Sequence, residues 1–251
     1  TCALPFSWIE YMLALPYGSV LAAGSFRLPG ESDQDRAIVR VTASGQIDSD
    51  YAQGLRRGAS AYTVVSCPAG GHWIGVYDMM FGVWRLFEDG AGDPRFVPPA
   101  ALLGSAACLA VEPGGSVLAG GIEGWSLMLE NQTALVRLNA DGSLACDLGR
   151  MARLPASTSL IPPIRALVAL PNGKLLVGGS FSQIGGLPGR PLARLHQDGR
   201  VDYSFDAGPV INRTETNGTV TTAIPAEVRA IVPMPGGGWL VGGDFAGFGK
   251  L

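Results

Sequence analysis

Three observations predict an all-β fold built from tandem four-stranded units. Pro-x-Gly recurs five times along the 251 residues, at Pro16/Gly18, Pro68/Gly70, Pro113/Gly115, Pro171/Gly173 and Pro235/Gly237. A second turn glycine recurs four times, each five residues after an arginine: Arg40/Gly45, Arg85/Gly90, Arg137/Gly142 and Arg194/Gly199. Between these turns lie short runs rich in Val, Leu and Ile, of strand length rather than helix length. Two hairpins in constant register are the signature of a repeat.

The fullest copy, 165–208, shows what each element should be. Residues 165–170 form a short apolar strand. Pro171-Asn172-Gly173 is a turn in which Pro pre-sets φ and Gly accepts a positive one. Residues 174–181 return as a second strand. The pair Gly178-Gly179 inside it predicts close approach of a neighbouring backbone or sheet. Residues 182–190 are a Gly/Pro-rich loop, 191–197 a third strand, Asp198-Gly199 a tight hairpin turn and 200–205 a fourth strand. Four antiparallel strands in about 45 residues is the size of one propeller blade.

The other copies follow this register. Five residues after each first-turn glycine stands a small residue: Ala23, Gly75, Gly120, Gly178 or Gly242. Three residues after the second-turn glycine stands Asp48, Asp93 or Asp202, with Ala145 in the third copy. Tyr51, Phe96, Leu148 and Phe205 close their units. The blades therefore fall at 9–54, 61–97, 107–149, 164–208 and, in part, 228–251, as one propeller array. About four and a half blades form an incomplete ring, so the sequence is expected to be a fragment whose neighbouring repeats are missing.

These residues bear a resemblance. Val-x-Ala-(Ile/Leu)-x-x-x-Pro-(Asp/Asn)-Gly-Lys-(Ile/Leu)-(Leu/Ile)-(Val/Ile)-Gly-Gly-x-Phe, followed by Arg-(Leu/Val)-x-x-Asp-Gly-x-(Leu/Val)-Asp-x-x-Phe, resembles the delta-60 repeat, a bacterial β-propeller-like unit. The copy at 164–208 matches nearly throughout; the second departs most, with His72, Trp73 and Val76 in its return strand. The resemblance implies a propeller in a large secreted or cell-surface bacterial protein, and it carries over no catalytic residue.

Composition narrows the function. Net charge is −3 with no basic run, which argues against electrostatic binding of nucleic acid. No apolar stretch reaches the ~18–20 residues of a membrane span. Cys2, Cys67, Cys108 and Cys146 contain no Cys-x-x-Cys pair and read as thiols filling strand positions. The two histidines, His72 and His196, occupy non-equivalent positions, so no metal and no cofactor is expected. Asp48, Asp93 and Asp202 could form a ring of acids, but they recur at one blade position. That favours turn-fixing by side chain-to-amide bonds over a single active centre.

Functional residues are expected on the long connections at 27–36, 123–133, 150–163, 182–190 and 209–226, which share one face of an up-and-down blade array. The binding candidates there are Glu31, Asp33, Asp35, Arg36, Glu123, Trp125, Arg213 and Glu215. The expected function is a non-catalytic scaffold, secreted or on the cell surface, that binds a protein or glycan partner through this face. One rival is a carbohydrate-active hydrolase or lyase at the central channel mouth, marked by non-repeated acids there. The other is a structural spacer in a long adhesin.

Overall fold

The computed structural model describes residues 8–28, 35–52, 55, 58–77, 82–97, 105–121, 135–148, 152–153, 164–181, 183–184, 187–188, 191–208, 210–217, 219–224 and 226–248. Among them there is no α-helix; a single 3₁₀ turn, Pro16–Gly18, sits at the first Pro-x-Gly. All pairings between strands are antiparallel among these residues.

The first sheet contains β1 (Trp8–Ala14), β2 (Val20–Phe26), β3 (Arg36–Val41) and β4 (Ile47–Asp48), in that order. The second contains β5 (Ser60–Ser66), β6 (His72–Tyr77) and β7 (Val83–Leu86). The third contains β8 (Cys108–Val111), β9 (Val117–Gly120), β10 (Leu135–Leu138) and β11 (Leu144–Asp147). After β12 (Ala152–Arg153), the fourth is built from β13 (Ile164–Ala169), β14 (Leu175–Gly179) and, beyond β15 (Gln183–Ile184) and β16 (Leu187–Pro188), β17 (Leu192–Leu195). The chain continues through β18 (Val210–Ile211), β19 (Arg213–Asn217) and β20 (Val220–Ile224). It ends in the hairpin of β21 (Glu227–Pro233) and β22 (Trp239–Asp244), followed by β23 (Gly247–Phe248).

The first strand of each sheet packs against the sheet before it: β5 on β1 and β2, β8 on β5 and β6, β13 on β8 and β9, β21 on β13 and β14. Strands covered on both faces read as continuous apolar runs, which is why Val-Leu-rich segments dominate here. Four of the five clusters of the core each join two successive sheets. Leu21, Ala23 and Ile38 meet Ala61, Ile74 and Val76, and Trp73 and Val83 meet Leu109 and Val117. Leu118 and Leu135 meet Ile164, Leu175 and Val177, and Leu176 and Leu192 meet Val228 and Ile231. Stability is thus a chain of nearest-neighbour interfaces. At the two ends of the array, Trp8, Ile9 and Met12, and Val232, Met234 and Leu240, are each more than half exposed.

A latch joins each second hairpin to the next. The residue that closes one unit lies on the turn glycine of the following one. A Cβ on Gly90 would meet the Tyr51 ring at 2.9 Å, one on Gly142 the Phe96 ring at 2.3 Å, and one on Gly199 the Leu148 side chain at 3.0 Å. All three glycines also have φ near +85° to +89°, so two constraints exclude a side chain at these turns. The motif arginine reinforces the contact. Arg40 donates to the Glu88 carbonyl (3.3 Å) and Arg137 to the Gln197 carbonyl (2.8 Å), the same position one unit on. Arg40 also covers the Tyr51 ring at 4.6 Å, and Arg194 the Phe205 ring at 4.9 Å.

The fourth strand differs from the expected one. It is two residues long in the first sheet and shrinks to single bridges, Leu86↔Gly92 and Leu195↔Val201, in the second and fourth. The motif aspartate is the cause. One oxygen accepts nearby main-chain N–H groups and bends the chain away: Asp48 from Asp50 and Tyr51, Asp93 from Arg95, Asp202 from Ser204. The other oxygen pairs with the unit's arginine: Arg40–Asp48, Arg85–Asp93 (3.2 Å) and Arg194–Asp202 (2.7 Å). In the third unit Ala145 takes the aspartate's place, and there the fourth strand runs for four residues. Arg137 is not left without an acid. It makes a two-pronged pair with Glu112 (2.8 and 3.0 Å), one residue before the turn proline, where the other units carry Leu15, Cys67, Leu170 and Met234.

Two predictions follow from the latch. Gly45→Ala has open space around its Cβ, so it should lose only the left-handed backbone term of about 1–2 kcal/mol. Gly142→Ala should lose that plus an overpacking cost of about 1–3 kcal/mol, measured by urea unfolding of both variants. Equal losses would show that no ring presses on Gly142. Glu112→Gln should lose about 1.5–3 kcal/mol, and adding Ala145→Asp should restore most of it by returning the acid to its usual place.

Candidate functional site

The five inner strands surround a central cavity of about 520 Å³. One repeat position dominates its wall. Six residues before each turn proline stand Glu10, Tyr62, Ala107, Arg165 and Arg229, and all five line the cavity. In four of the five strands that residue is the extra one of a β-bulge. Pairing skips from Ile9 to Tyr11, from Ala61 to Thr63, from Ile164 to Ala166 and from Val228 to Ala230. A bulge leaves one residue unpaired and re-aims its side chain, and bulges cluster beside functional sites. Here it frees one position per strand from the packing between sheets. The third unit has Ala107 outside the ladder of β8, so it contributes space rather than a polar group.

An ionic cluster stands at this wall. Glu227, 6% exposed, begins β21. Its Oε2 accepts from Arg229 Nε and Nη2, both at 2.8 Å, and its Oε1 pairs with Arg165 Nε. Glu227 does not recur in the repeats; its counterparts are Trp8, Ser60, Ser105 and Pro163. Cys108 lies in the same wall, and burial pushes its thiol well above the usual range. Cys67 is also buried, while Cys146 is half-buried. These three are free thiols. Among the described residues no three His, Cys, Asp or Glu side chains come together as a metal site.

The expected binding residues distribute as follows. Glu31, Asp33, Glu123 and Trp125 lie outside the described residues. Asp35 accepts from Ser25 Oγ (2.6 Å) and from Arg27 Nε and Nη2 (3.2 and 3.1 Å). Arg36 is not a loop residue: it opens β3, is 6% exposed, and donates from Nη1 to the carbonyls of Ser49 and Tyr51. That hydrogen bonding ties the first sheet to its closing turn. Arg213 and Glu215 do come together, 2.7 Å apart, and Arg213 Nε also meets Asp244 Oδ1 at 2.7 Å.

Among the described residues, three of the long connections contain strands. Segment 209–226 contains the hairpin of β19 and β20, whose Thr- and Val-rich strands flank Asn217-Gly218, residue types that suit strands and a tight turn. Parts of 150–163 and 182–190 pair with each other, β12 on β15 and β15 on β16, and β18 pairs with β23. These connections meet at the end of the array where the inner strands begin, which is also where the bulges lie. In the sequence this position shows only as a polar or variable residue inside an otherwise apolar strand; the bulge that aims it into the channel exists only in the pairing.

Sheets packed in succession around a channel, with one strand of each innermost, define a β-propeller. Consistent with that, the family described as domain of unknown function DUF5122, beta-propeller, matches residues 18–51 and 170–205. The chain is similar to it over these two segments, which fall on the first and fourth units. No curated protein matches the sequence. Among solved structures, the chain resembles a protein of unknown function from Bacteroides thetaiotaomicron at 11% identity and a TM-score of 0.58, covering 96% of this chain and 53% of that one. It also resembles the extracellular domain of a protein described as a one-component system from B. thetaiotaomicron, at 14% identity and a TM-score of 0.50, covering 94% and 32%. The chain thus spans about half and about a third of these two. PorZ, a surface component of the type-IX secretion system of Porphyromonas gingivalis, aligns over 94% of this chain and 39% of its own, at 10% identity and a TM-score of 0.41. Among the described residues no helix is long and apolar enough to cross a membrane.

The titratable groups predict how the fold responds to acid. His72 is 2% exposed, and loss of hydration holds its pKa below the ordinary value, against a smaller opposing pull from Glu88. A lowered folded pKa means the unfolded chain takes the proton first. Stability from this group is complete above about pH 6.5 and falls below it. Asp48, Asp93 and Asp202 are held below the carboxylate range, chiefly by hydrogen bonds from Arg40, Arg95 and Lys174 respectively. Their contribution is present above about pH 4 and is lost as pH falls further. Urea unfolding from pH 8 to pH 3 should show both stages. The stage below pH 6.5 should vanish in His72→Gln, and its persistence would reassign it to another group.

Proposed function

We infer that the chain is a non-catalytic propeller scaffold of the delta-60 type, from a secreted or cell-surface bacterial protein, and that it binds a protein or glycan partner on the face carrying its long connections. The observation that carries this reading is the asymmetry of the two faces. One bears short turns held by repeated contacts. The other gathers ordered strands from long connections that do not repeat, beside a polar channel. Function concentrates where a rigid scaffold presents variable segments. The similarity to an extracellular domain and the delta-60-like motifs support the setting.

The hydrolase reading has one observation in its favour: Glu10 is a non-repeated acid at the channel wall, and a second, Glu227, is bonded to two arginines of that wall. A glycosidase needs one carboxyl group to hand a proton to the leaving oxygen. Both oxygens of Glu227 are engaged by arginines, an arrangement suited to holding charge rather than passing a proton.

The test is a glycan and protein array probed with the labelled chain and with a variant whose 213–224 hairpin is replaced by a Gly-Ser turn. Binding by the parent, reduced at least tenfold in a variant of unchanged melting temperature, is expected. Time-dependent shortening of an arrayed glycan, abolished by Glu10→Gln, would overturn the non-catalytic reading.

A further inference from the structure

We propose that the channel holds the carboxylate of an acidic sugar, such as the uronate end of a glycan. The proposal deepens the glycan form of the reading above and rests on it. A guanidinium offers five N–H donors and no acceptor. Arg165 and Arg229 together spend only part of theirs on Glu227, through one nitrogen of Arg165 and two of Arg229. Beside a single carboxylate, the two arginines leave an excess of one positive charge and several fork-shaped donor pairs at the cavity wall. Such forks match a carboxylate bidentately, with both energy and direction.

The rest of the cavity selects among carboxylates. Glu10, from the first sheet, lines the same space and is exposed. Glu227 pairs with the arginines but does not itself line the cavity, so the lining sets two guanidinium groups against the one carboxylate of Glu10. A monoanion takes up the arginine excess, and hydroxyl donors on its body satisfy Glu10. Tyr62 and Tyr11 add aromatic rings to the wall; the Tyr62 ring meets the Tyr77 ring edge-on at 6.3 Å. A ring of this kind suits the apolar face of a pyranose. A volume of about 520 Å³ falls in the range of about 300–1,000 Å³ usual for small-ligand sites.

Titration calorimetry on the whole chain tests this, with glucuronate, galacturonate and digalacturonate as probes. Glucose, glutamate and inorganic phosphate serve as comparisons. At least one uronate should bind ten times or more tightly than glucose, glutamate or phosphate, and digalacturonate binding better than the monosaccharide would identify a glycan end rather than a free sugar acid. Arg229→Gln should weaken uronate binding at least tenfold while unfolding stays cooperative; it also takes two donors from the buried Glu227, so a lowered melting temperature is expected with it. Arg229→Lys, which keeps the charge but not the fork, should weaken it several-fold, as should Tyr62→Leu. Uronate and glucose binding alike, glutamate or phosphate binding more tightly, or affinity unchanged in all three variants would overturn the proposal. Array binding that depends on the 213–224 hairpin but not on Arg229 would leave the scaffold reading standing and the channel site refuted.

Discussion

The contact on which the array depends is the one between the end of one unit and the second turn of the next. Hydrophobic burial between sheets is large but non-directional, and Val and Leu faces could slide past one another. The latch supplies direction. A closing ring on a turn glycine admits one depth of approach, because any side chain at Gly90, Gly142 or Gly199 would occupy the ring's place. The arginine ties the latch together, reaching the aspartate of its own unit and a carbonyl of the next. Position and angle between sheets are thereby set at the first three interfaces, and the channel geometry follows from them.

The third unit shows that the requirement is chemical rather than positional. Ala145 removes the acid, yet Arg137 keeps a two-pronged carboxylate partner in Glu112 and still reaches the neighbouring unit. The interface needs an arginine oriented by an acid, and two routes provide it. The aspartate has a second role that Glu112 cannot fill, bending the chain away from the outer strand. That role is lost with it, and the outer strand lengthens accordingly.

Much of the fold was legible because its constraints are local. A positive φ demands glycine, and a turn demands Pro-x-Gly, so hairpins announce themselves at fixed spacing. The outer strand is shorter than its sequence suggests: Val201 and Phe205 look like strand residues, while Asp202 stops the ladder through a side-chain bond that composition does not reveal. Arg36 resembles a loop residue in sequence because charged residues surround it, but its hydrogen bonds lie with carbonyls thirteen and fifteen residues away. Segment 209–226 hid a hairpin behind polar composition, although its threonines favour strands. The channel positions were the least legible. A bulge is a mismatch between two strands, so it exists only in their pairing and not in either sequence alone.

That distinction separates two kinds of position. Residues of the latch recur because every interface poses the same mechanical problem. Residues at this position are not fixed by the repeat: Glu10, Tyr62, Ala107, Arg165 and Arg229 put four kinds of side chain at one structural position. A position that the ladder does not pair, and that packing between sheets does not cover, is free to vary without cost to the fold. Random variation there would leave a mixture of solvated side chains. Two residues before that position on the last inner strand stands instead a buried carboxylate, absent from the equivalent place in every other unit, engaged by two bulge arginines from adjacent sheets. Burying a charge is costly unless it is paired and hydrogen-bonded, and the apolar packing of Leu176 and Leu192 on Val228 and Ile231 already holds these two sheets together. Glu227 is therefore better explained as orienting Arg165 and Arg229 toward the channel than as a support for the fold.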